Sequence, residues 1–225
     1  MKYFIKKLII NFKGLFPVKL KTFLKKFRNF NGYQGLDKKM LKYINYKNGF
    51  YIECGANDGV NQSNTWYFEK KLNWSGLLIE PINSVFKELK KNRGKKNFFF
   101  KVALRQFNYK NKNVELNFNI SDTLTTRSNL DNVKRIKVKV RSSNLNFLLK
   151  KINAPKLIDF FSLDVEGDEF LVLKGVNFQK YTFRYILIEC NNVKKLRKFL
   201  EKKNYKYVGK ISKGNDYLFK TKKII

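Results

Sequence analysis

From residue 50 onward, short apolar segments alternate with segments in which apolar residues recur at helical spacing. The apolar segments predict strands at 50–54, 76–80, 97–104, 157–164 and 185–190. The helical spacing predicts helices at 62–72, 82–89, 145–152 and 193–200, with a short one from 168. Buried strands that alternate with amphipathic helices are typical of a mostly parallel sheet covered on both faces. We therefore predict a doubly wound α/β domain with an antiparallel closing strand.

The segment before residue 50 differs from the rest of the chain. Residues 1–49 carry 13 Lys or Arg and one acid, Asp37. Their apolar residues recur at helical spacing on both sides of Pro17, which predicts one or two basic amphipathic helices. We divide the chain into this extension, 1–49, and a domain at 50–225. Packing on the core, contact with an anionic membrane and contact with nucleic acid all stay open for the extension. No apolar run is long enough to predict a transmembrane helix.

Charge is distributed unevenly in this chain. Its 49 Lys and Arg against 17 Asp and Glu give a formal net charge of +32. Either a bias toward AT-rich codons or attraction to nucleic acid, anionic lipid or a phosphorylated substrate explains the excess. The acids are more informative, because eight of the 17 lie near the carboxyl ends of predicted strands: Glu53, Asp58, Glu80, Asp164, Glu166, Asp168, Glu169 and Glu189. Sheets of this class bind ligands at that edge.

The chain has no His and two Cys. The absence of His excludes a Ser-His-Asp triad and a His-ligated zinc site, and two Cys cannot form a four-Cys zinc site. A catalytic base must then be a carboxylate or a metal-assisted group. Cys54 and Cys190 end predicted strands that have another strand between them, about 9–10 Å apart, which is too far for a disulfide. We predict free, buried thiols and a cytoplasmic protein.

The turn after the first predicted strand, residues 53–59, reads E-C-G-A-N-D-G. Gly55 and Gly59 permit close backbone approach to a ligand. The turn lacks the G-x-G-x-x-G motif of dinucleotide-binding sites, because Asn57 occupies the position of the middle glycine. The interpretation as an NAD-dependent oxidoreductase is therefore less well supported. An acid at its start suits an ammonium group, and Glu80 at the next strand end suits the two hydroxyls of a ribose. These features favour S-adenosylmethionine as the ligand.

Three segments carry a resemblance to a known family. They are E-C-G-A-N-D-G at 53–59, W-S-G-L-L-I-E-P at 74–81 and I-D-F-F-S-L-D-V-E-G-D-E-F-L-V-L-K-G at 158–175. Together they resemble the FkbM-type methyltransferases, over about residues 50–220. The resemblance implies a class I, Rossmann-like methyltransferase fold. It also implies S-adenosylmethionine-dependent O-methylation of a small-molecule or glycan acceptor.

The resemblance also implies roles for individual residues. Those implied to bind the cofactor are Glu53, Gly55, Ala56, Asn57, Asp58, Gly59, Glu80, Val102 and Ala103. Asp164 and Glu166 match the D-x-E-G signature on the acceptor side, and Asp164 is the preferred catalytic base. A divalent cation such as Mg²⁺ on Asp164, Glu166 and Glu189 is a less favoured alternative. We predict that Asp168 caps the following helix.

Two other functions stay open at this stage. The net charge favours an RNA methyltransferase that uses the same chemistry on a different acceptor. The other is an inactive protein of the same fold, which binds nucleic acid or attaches peripherally to the surface of an anionic membrane. The acids at positions 53, 80, 164 and 166 argue against loss of activity.

Overall fold

The computed structural model describes residues 18–119 and 135–223. Its strands are β1 (Phe50–Cys54), β2 (Ser75–Ile79), β3 (Phe98–Phe100), β4 (Ala103–Leu104), β5 (Asn113–Asn119), β6 (Arg135–Ser143), β7 (Leu157–Leu163), β8 (Thr182–Glu189), β9 (Tyr205–Lys210) and β10 (Asp216–Thr221). Seven of them form one sheet in the order β3-β2-β1-β7-β8-β10-β9. Neighbouring strands run parallel except where β10 pairs with β8 and β9. The predicted mostly parallel sheet with an antiparallel closing strand is confirmed.

Helices connect these strands, as the apolar spacing predicts. The α-helices are α1 (Val18–Lys25), α2 (Leu36–Met40), α3 (Trp66–Leu72), α4 (Asn83–Asn92), α5 (Leu145–Lys151), α6 (Glu169–Leu173) and α7 (Val193–Glu201), and a 3-10 turn spans Tyr33–Gly35. Asn144 and Asn192 cap α5 and α7, because each side chain accepts a hydrogen bond from a first-turn amide. None of the helices in residues 18–119 and 135–223 is long and apolar enough to cross a membrane.

Two predicted elements differ most from the structure. The predicted strand at 97–104 is divided, because β3 joins the main sheet whereas β4 joins a three-stranded sheet in the order β4-β6-β5. A continuous apolar run contains no signal for such a change of partner. The helix predicted from residue 62 begins at Trp66, because Ser63 and Thr65 bind the buried carboxylate of Glu53 instead of forming a helical turn.

The core has two layers, one on each face of the sheet. On one face, residues of α5, α6 and α7 pack against alternate strand residues such as Ile52 and Phe161. On the other face, Leu36, Met40 and Ile44 from the N-terminal segment are buried with Tyr51 and other strand residues. The end of the extension therefore packs on the core. Residues 1–17 lie outside the described residues, and the boundary at residue 50 stays a prediction.

The two cysteines lie where the strand order places them. β7 separates β1, which ends at Cys54, from β8, which precedes Cys190. Both thiols are free and buried, as predicted. The cytoplasmic location that they suggest stays a prediction.

Candidate active site

A cavity of about 530 Å³ lies at the carboxyl ends of β1, β2 and β7. Its volume falls within the range of about 300–1,000 Å³ that is usual for small-molecule sites. Most of the residues that the sequence assigns to a site line this cavity: Glu53, Gly55, Ala56, Asn57, Glu80, Val102, Ala103, Asp164 and Glu166. The structure thus brings the predicted cofactor residues and the predicted catalytic acids to one space.

Asp58 and Gly59 belong to the same turn but are not among the residues that line the cavity. The carboxylate of Asp58 accepts hydrogen bonds from the amides of Val60 at 2.9 Å and Asn61 at 2.7 Å, and so closes the turn. Gly59 has a φ of +77°, and a Cβ there would lie 2.7 Å from a side-chain atom of Arg93. In the structure these two residues shape the turn that carries the lining residues.

Gly55 is the point where the ends of three strands meet. Its φ is +76°, and a methyl group on its Cα would overlap the carbonyl oxygen of Asp164. The amides of Gly55 and Ala56 both donate to the carbonyl of Ile79, at 3.1 and 3.0 Å. A side chain at position 55 would therefore separate β1 from β7 at the floor of the cavity.

We expect Gly55→Ala to destabilise the protein and to weaken ligand binding in the cavity. A left-handed backbone costs a residue with a Cβ about 1–2 kcal/mol, and the overlap with Asp164 adds to that cost. Denaturant unfolding measures the loss. Gly167→Ala is the matched control for backbone strain, because Gly167 has a φ of +109° but open space around its Cα. Equal losses in the two variants would contradict a role for the close approach to Asp164.

The carboxylate of Glu53 is held by the protein itself. It accepts hydrogen bonds from the amide of Asn64 at 2.7 Å, from Thr65 Oγ1 at 2.6 Å and from Ser63 Oγ at 3.0 Å. Arg93 Nη1 lies 3.3 Å from it, and both side chains are buried. Glu53 therefore fixes the loop that follows the glycine turn, and its assignment to the cofactor stays a prediction.

Arg93 is a buried residue that sequence reasoning did not find. Besides Glu53, it binds Glu69 through Nε at 2.6 Å and the hydroxyl of Tyr51 through Nη2 at 2.6 Å. Arg93 follows α4, and Glu69 lies in α3. Charged residues that alternate with apolar ones in a helix are typical of its solvent-exposed face, so the pattern predicts that both residues are exposed. The helical pattern therefore contains no signal for this pair.

Glu80 follows β2 and is 7% exposed. Its carboxylate accepts hydrogen bonds from the amides of Asn57 at 3.1 Å and Ile82 at 2.9 Å. Burial raises the pKa of Glu80 to about 7, with a smaller contribution from the charge of Asp58, although the two amide bonds act in the opposite direction. A carboxylate at the cavity wall with a pKa near neutrality takes up or releases a proton when a ligand binds.

Asp164 follows β7 and is one of four neighbouring acids. Burial, the charge of Glu189 and a side-chain hydrogen bond with Glu189 raise the pKa of Asp164 well above its usual value, and Glu166 and Asp216 add to this effect. Glu189 ends β8 and pairs in register with Asp216 of β10. Two adjacent carboxyl groups that share a proton act as a coupled pair. In the part of the chain that the structure describes, no group of three His, Cys, Asp or Glu is placed to hold a metal ion.

Asp168 does not have the capping role that we predicted. It occupies the N-cap position of α6 but makes no side-chain capping bond. Its carboxylate instead binds Arg105 Nη1 at 2.6 Å, because the buried guanidinium of Arg105 requires a counter-charge. Glu169 holds the preceding turn, since it accepts from the amides of Val165 at 3.3 Å and Gly167 at 2.9 Å.

Several polar residues line the cavity that the sequence did not reveal. They are Asn61, Gln62, Ser63, Asn64, Arg105, Glu115, Asn117 and Ser162. Asn64 Nδ2 donates to Ser162 Oγ at 3.0 Å, and Asn61 binds Thr22 Oγ1 at 2.8 Å and Lys25 of α1. Arg105 directly follows a strand, so its position at a strand end is a signal that the sequence does contain. The others have no comparable signal.

Comparison with known proteins identifies the family. The profile described as the methyltransferase FkbM domain matches residues 53–207. The chain belongs to the FkbM methyltransferase family. No curated protein sequence matches this member of the family.

A solved structure confirms the fold class of this FkbM methyltransferase. Methyltransferase FkbM from Methylobacillus flagellatus KT matches with a TM-score of 0.51 at 12% identity, over 80% of this chain and 45% of that one. The METTL16 MTase domain matches with a TM-score of 0.47 at 12% identity, over 84% of this chain and 65% of that one. The present chain thus spans less than half of the first structure. The fold is a class I methyltransferase-like α/β fold.

Proposed function

We propose that the protein transfers a methyl group from S-adenosylmethionine to a hydroxyl oxygen of a sugar, a glycan or a related small molecule. The observation that supports this most directly is that Glu80, after β2, and Asp164, after β7, line the same cavity of about 530 Å³. Membership of the FkbM methyltransferase family supports the reaction type.

The residues of the cavity fit S-adenosylmethionine. Glu80 offers a nearly buried carboxylate that can accept hydrogen bonds from two ribose hydroxyls. The bare Cα of Gly55 lets the ends of β1 and β7 meet at the floor of the cavity, and Val102 and Ala103 supply an apolar wall for the adenine. When bound, S-adenosylmethionine supplies an electrophilic methyl group on a sulfonium. The protein's task is to align the acceptor oxygen with that methyl group and to exclude water.

Asp164 is our candidate for the proton acceptor. A sugar hydroxyl is a weak nucleophile, so removal of its proton close to the transition state speeds methyl transfer. Asp164 lines the cavity together with Glu166, and its raised pKa makes it a stronger base than an ordinary carboxylate. Glu166 is exposed beside it, with a φ of 55° in the turn before α6. We assign Glu166 to contact with the acceptor.

The role of Glu80 predicts how cofactor binding depends on pH. Ribose hydroxyls bind the charged carboxylate, so binding lowers the pKa of Glu80 below its value of about 7 in the free protein. Affinity for S-adenosylmethionine therefore falls as the pH falls through that value, and is about tenfold weaker at pH 6 than at pH 8. Glu80→Gln should bind about 10–100-fold more weakly at pH 8 and lose this dependence. Isothermal titration calorimetry across this pH range measures both effects.

Glu88→Gln is the matched control for this experiment, because Glu88 is an exposed residue of α4 whose charge pairs with Lys91. It should leave both the affinity and its pH dependence unchanged. Any titration of the ligand's own amino group is common to all three proteins and cancels in the comparison. Failure of the wild-type protein to bind S-adenosylmethionine would refute the proposed cofactor. An unchanged pH dependence in Glu80→Gln would refute only the role of Glu80.

RNA is a second candidate acceptor, and the face of β6 favours it. Lys139 of β6 pairs in register with Glu115 of β5, and Lys137 pairs with Asn117. Residues that pair directly lie on the same face of a sheet. The two exposed lysines therefore lie beside Glu115 and Asn117, which line the cavity. Such cations neutralise backbone phosphates. A screen for methyl transfer to sugars, glycans and RNA decides between the two acceptors.

A further inference from the structure

A second cavity adjoins the first and differs from it in charge. It has a volume of about 220 Å³ and lies between the segment after β4 and the end of β6. Among residues 18–119 and 135–223, its lining includes three cationic residues, Arg105, Lys110 and Lys112, and no acidic residue. Arg105 also lines the first cavity, so the two cavities share a wall. A ligand group bound in the second cavity would lie next to the acceptor side of the first.

The walls of the second cavity are held by hydrogen bonds between the segment at 105–113 and β6. The amide of Arg105 donates to the carbonyl of Ser143 at 2.8 Å. Ser142 binds the same segment twice, with its amide on the carbonyl of Lys112 at 2.9 Å and its hydroxyl on the carbonyl of Asn111 at 2.5 Å. The cavity is therefore part of the folded structure and is not formed by surface side chains alone.

Gln106 provides a second, independent indication of a ligand. Its side-chain oxygen is buried, and none of the residues that the structure describes forms a hydrogen bond with it. A buried polar atom without a partner costs about 1–3 kcal/mol, and a ligand that pairs with it recovers part of that cost. The amide accepts from a hydroxyl in one orientation and, rotated by half a turn, donates to an anionic oxygen. A phosphorylated sugar offers both kinds of partner.

We propose that the second cavity binds the phosphate group of a phosphorylated acceptor, whose hydroxyl is then presented to Asp164 in the first cavity. This inference rests on the proposed function, because it names the class of acceptor for that same site. Lys110 and Lys112 are exposed at the rim, whereas the charge of Arg105 is shared with Asp168. A cavity of about 220 Å³ accommodates a phosphate or diphosphate group with part of a sugar, but not a run of nucleotides.

Calorimetry with inorganic phosphate and pyrophosphate, in a buffer without other multivalent anions, tests the site directly. The wild-type protein should bind both anions. Lys110→Ala/Lys112→Ala and Gln106→Glu should each weaken binding by about tenfold, the first by loss of two charges and the second by repulsion. The control Lys198→Ala/Lys202→Ala removes two exposed lysines of α7 and its C-terminus, away from both cavities, and should bind phosphate like the wild type.

Binding of S-adenosylmethionine is measured in parallel, because it shows that each variant is folded and separates the two proposals. Phosphate binding that persists when the wild type fails to bind S-adenosylmethionine would support the anion site and refute the proposed function. S-adenosylmethionine binding without phosphate binding would refute the anion site alone. Equal losses in the control variant, or equally tight binding of sulfate, would also overturn the assignment to phosphate. So would lysine-dependent binding of an RNA oligonucleotide that inorganic phosphate and pyrophosphate do not displace.

Discussion

Arg93→Met is expected to lose about 3–5 kcal/mol of its free energy of unfolding at pH 7, because it removes the buried guanidinium that pairs with the carboxylates of Glu53 and Glu69. Glu69 and Glu53 lie 2.6 and 3.3 Å from the guanidinium, and all three side chains are at most 4% exposed. Methionine is close to arginine in length, so the loss reports charge and hydrogen bonding more than volume. Thermal or denaturant unfolding measures it.

The pH dependence of this loss has a definite sign. Burial acts to raise the pKa of Glu69, but the charges and hydrogen bonds of Arg93 and Lys70 outweigh it and hold the pKa at about 2. In the wild type, Glu69 therefore contributes stability above its unfolded pKa of about 4.5, and that contribution is lost as the pH falls toward 2. In Arg93→Met, of the two cations only Lys70 still lowers the pKa of Glu69, so burial raises that pKa relative to the wild type and protonation relieves part of the cost of the buried charge. The difference between the two proteins should shrink as the pH falls from 7 to about 4.

Arg197→Met is the control for this prediction. Arg197 is half exposed on α7, and its pair with Glu201 has a separation of 3.9 Å. Exposed pairs of this kind contribute about 0–1 kcal/mol, so the control should unfold close to the wild type at every pH. A loss in Arg93→Met that does not change between pH 7 and 4 would contradict the assignment to buried charge.

The regular elements of the fold could be predicted from the sequence because they depend on burial of apolar residues. Strand β7 and helix α5 lie within one residue of the predicted bounds. The strand is a mainly apolar run that ends before Asp164, and the helix has apolar residues at helical spacing that end before Asn153. The acids at the ends of β1, β2 and β7 could also be assigned to one cavity, once the strands were predicted to be parallel. A parallel sheet places the carboxyl ends of these strands at one edge.

The contacts between charged groups could not be predicted in this way. Arg93 and Glu69 are buried, although each lies in or beside a helix at a position where the local pattern predicts an exposed residue, and Arg105 is buried at the end of a strand. Their burial depends on partners distant in sequence, such as Asp168 for Arg105. Periodicity reports which face of an element is apolar, and not which charges meet in the folded chain. The role of Asp168 as an ion-pair partner was missed for this reason.

Asp164→Asn is expected to lower kcat for methyl transfer by about 10²–10⁴-fold while S-adenosylmethionine still binds with nearly unchanged affinity. Asparagine has the shape of aspartate but cannot take a proton from the acceptor hydroxyl. Its side-chain amide can still form a hydrogen bond with Glu189, so the variant removes the base without leaving a cavity. Steady-state methyl transfer with the acceptor found by screening measures kcat, and calorimetry measures cofactor binding.

Glu189→Gln tests whether Asp164 acts as a base and is not merely structural. Burial raises the pKa of Asp164, and the charge of Glu189 raises it further, together with Glu166 and Asp216. A base is active without its proton, so wild-type kcat should rise with pH as Asp164 ionises. Glutamine removes one negative charge and can donate to the Asp164 carboxylate, which lowers the pKa. The rising limb of the pH profile should therefore move to lower pH, a shift that a purely structural contact would not cause.

The results for these two variants distinguish a catalytic role of Asp164 from a positioning or structural role. Full activity in Asp164→Asn would show that the acceptor loses its proton elsewhere, and Glu166→Gln would then be the next variant to test. Loss of S-adenosylmethionine binding in Asp164→Asn would indicate damage to the β1–β7 junction, where the Asp164 backbone meets Gly55. An inactive Asp164→Asn with an unmoved profile in Glu189→Gln would make Asp164 a positioning residue. A shifted profile together with intact cofactor binding is the result that a carboxylate base coupled to Glu189 requires.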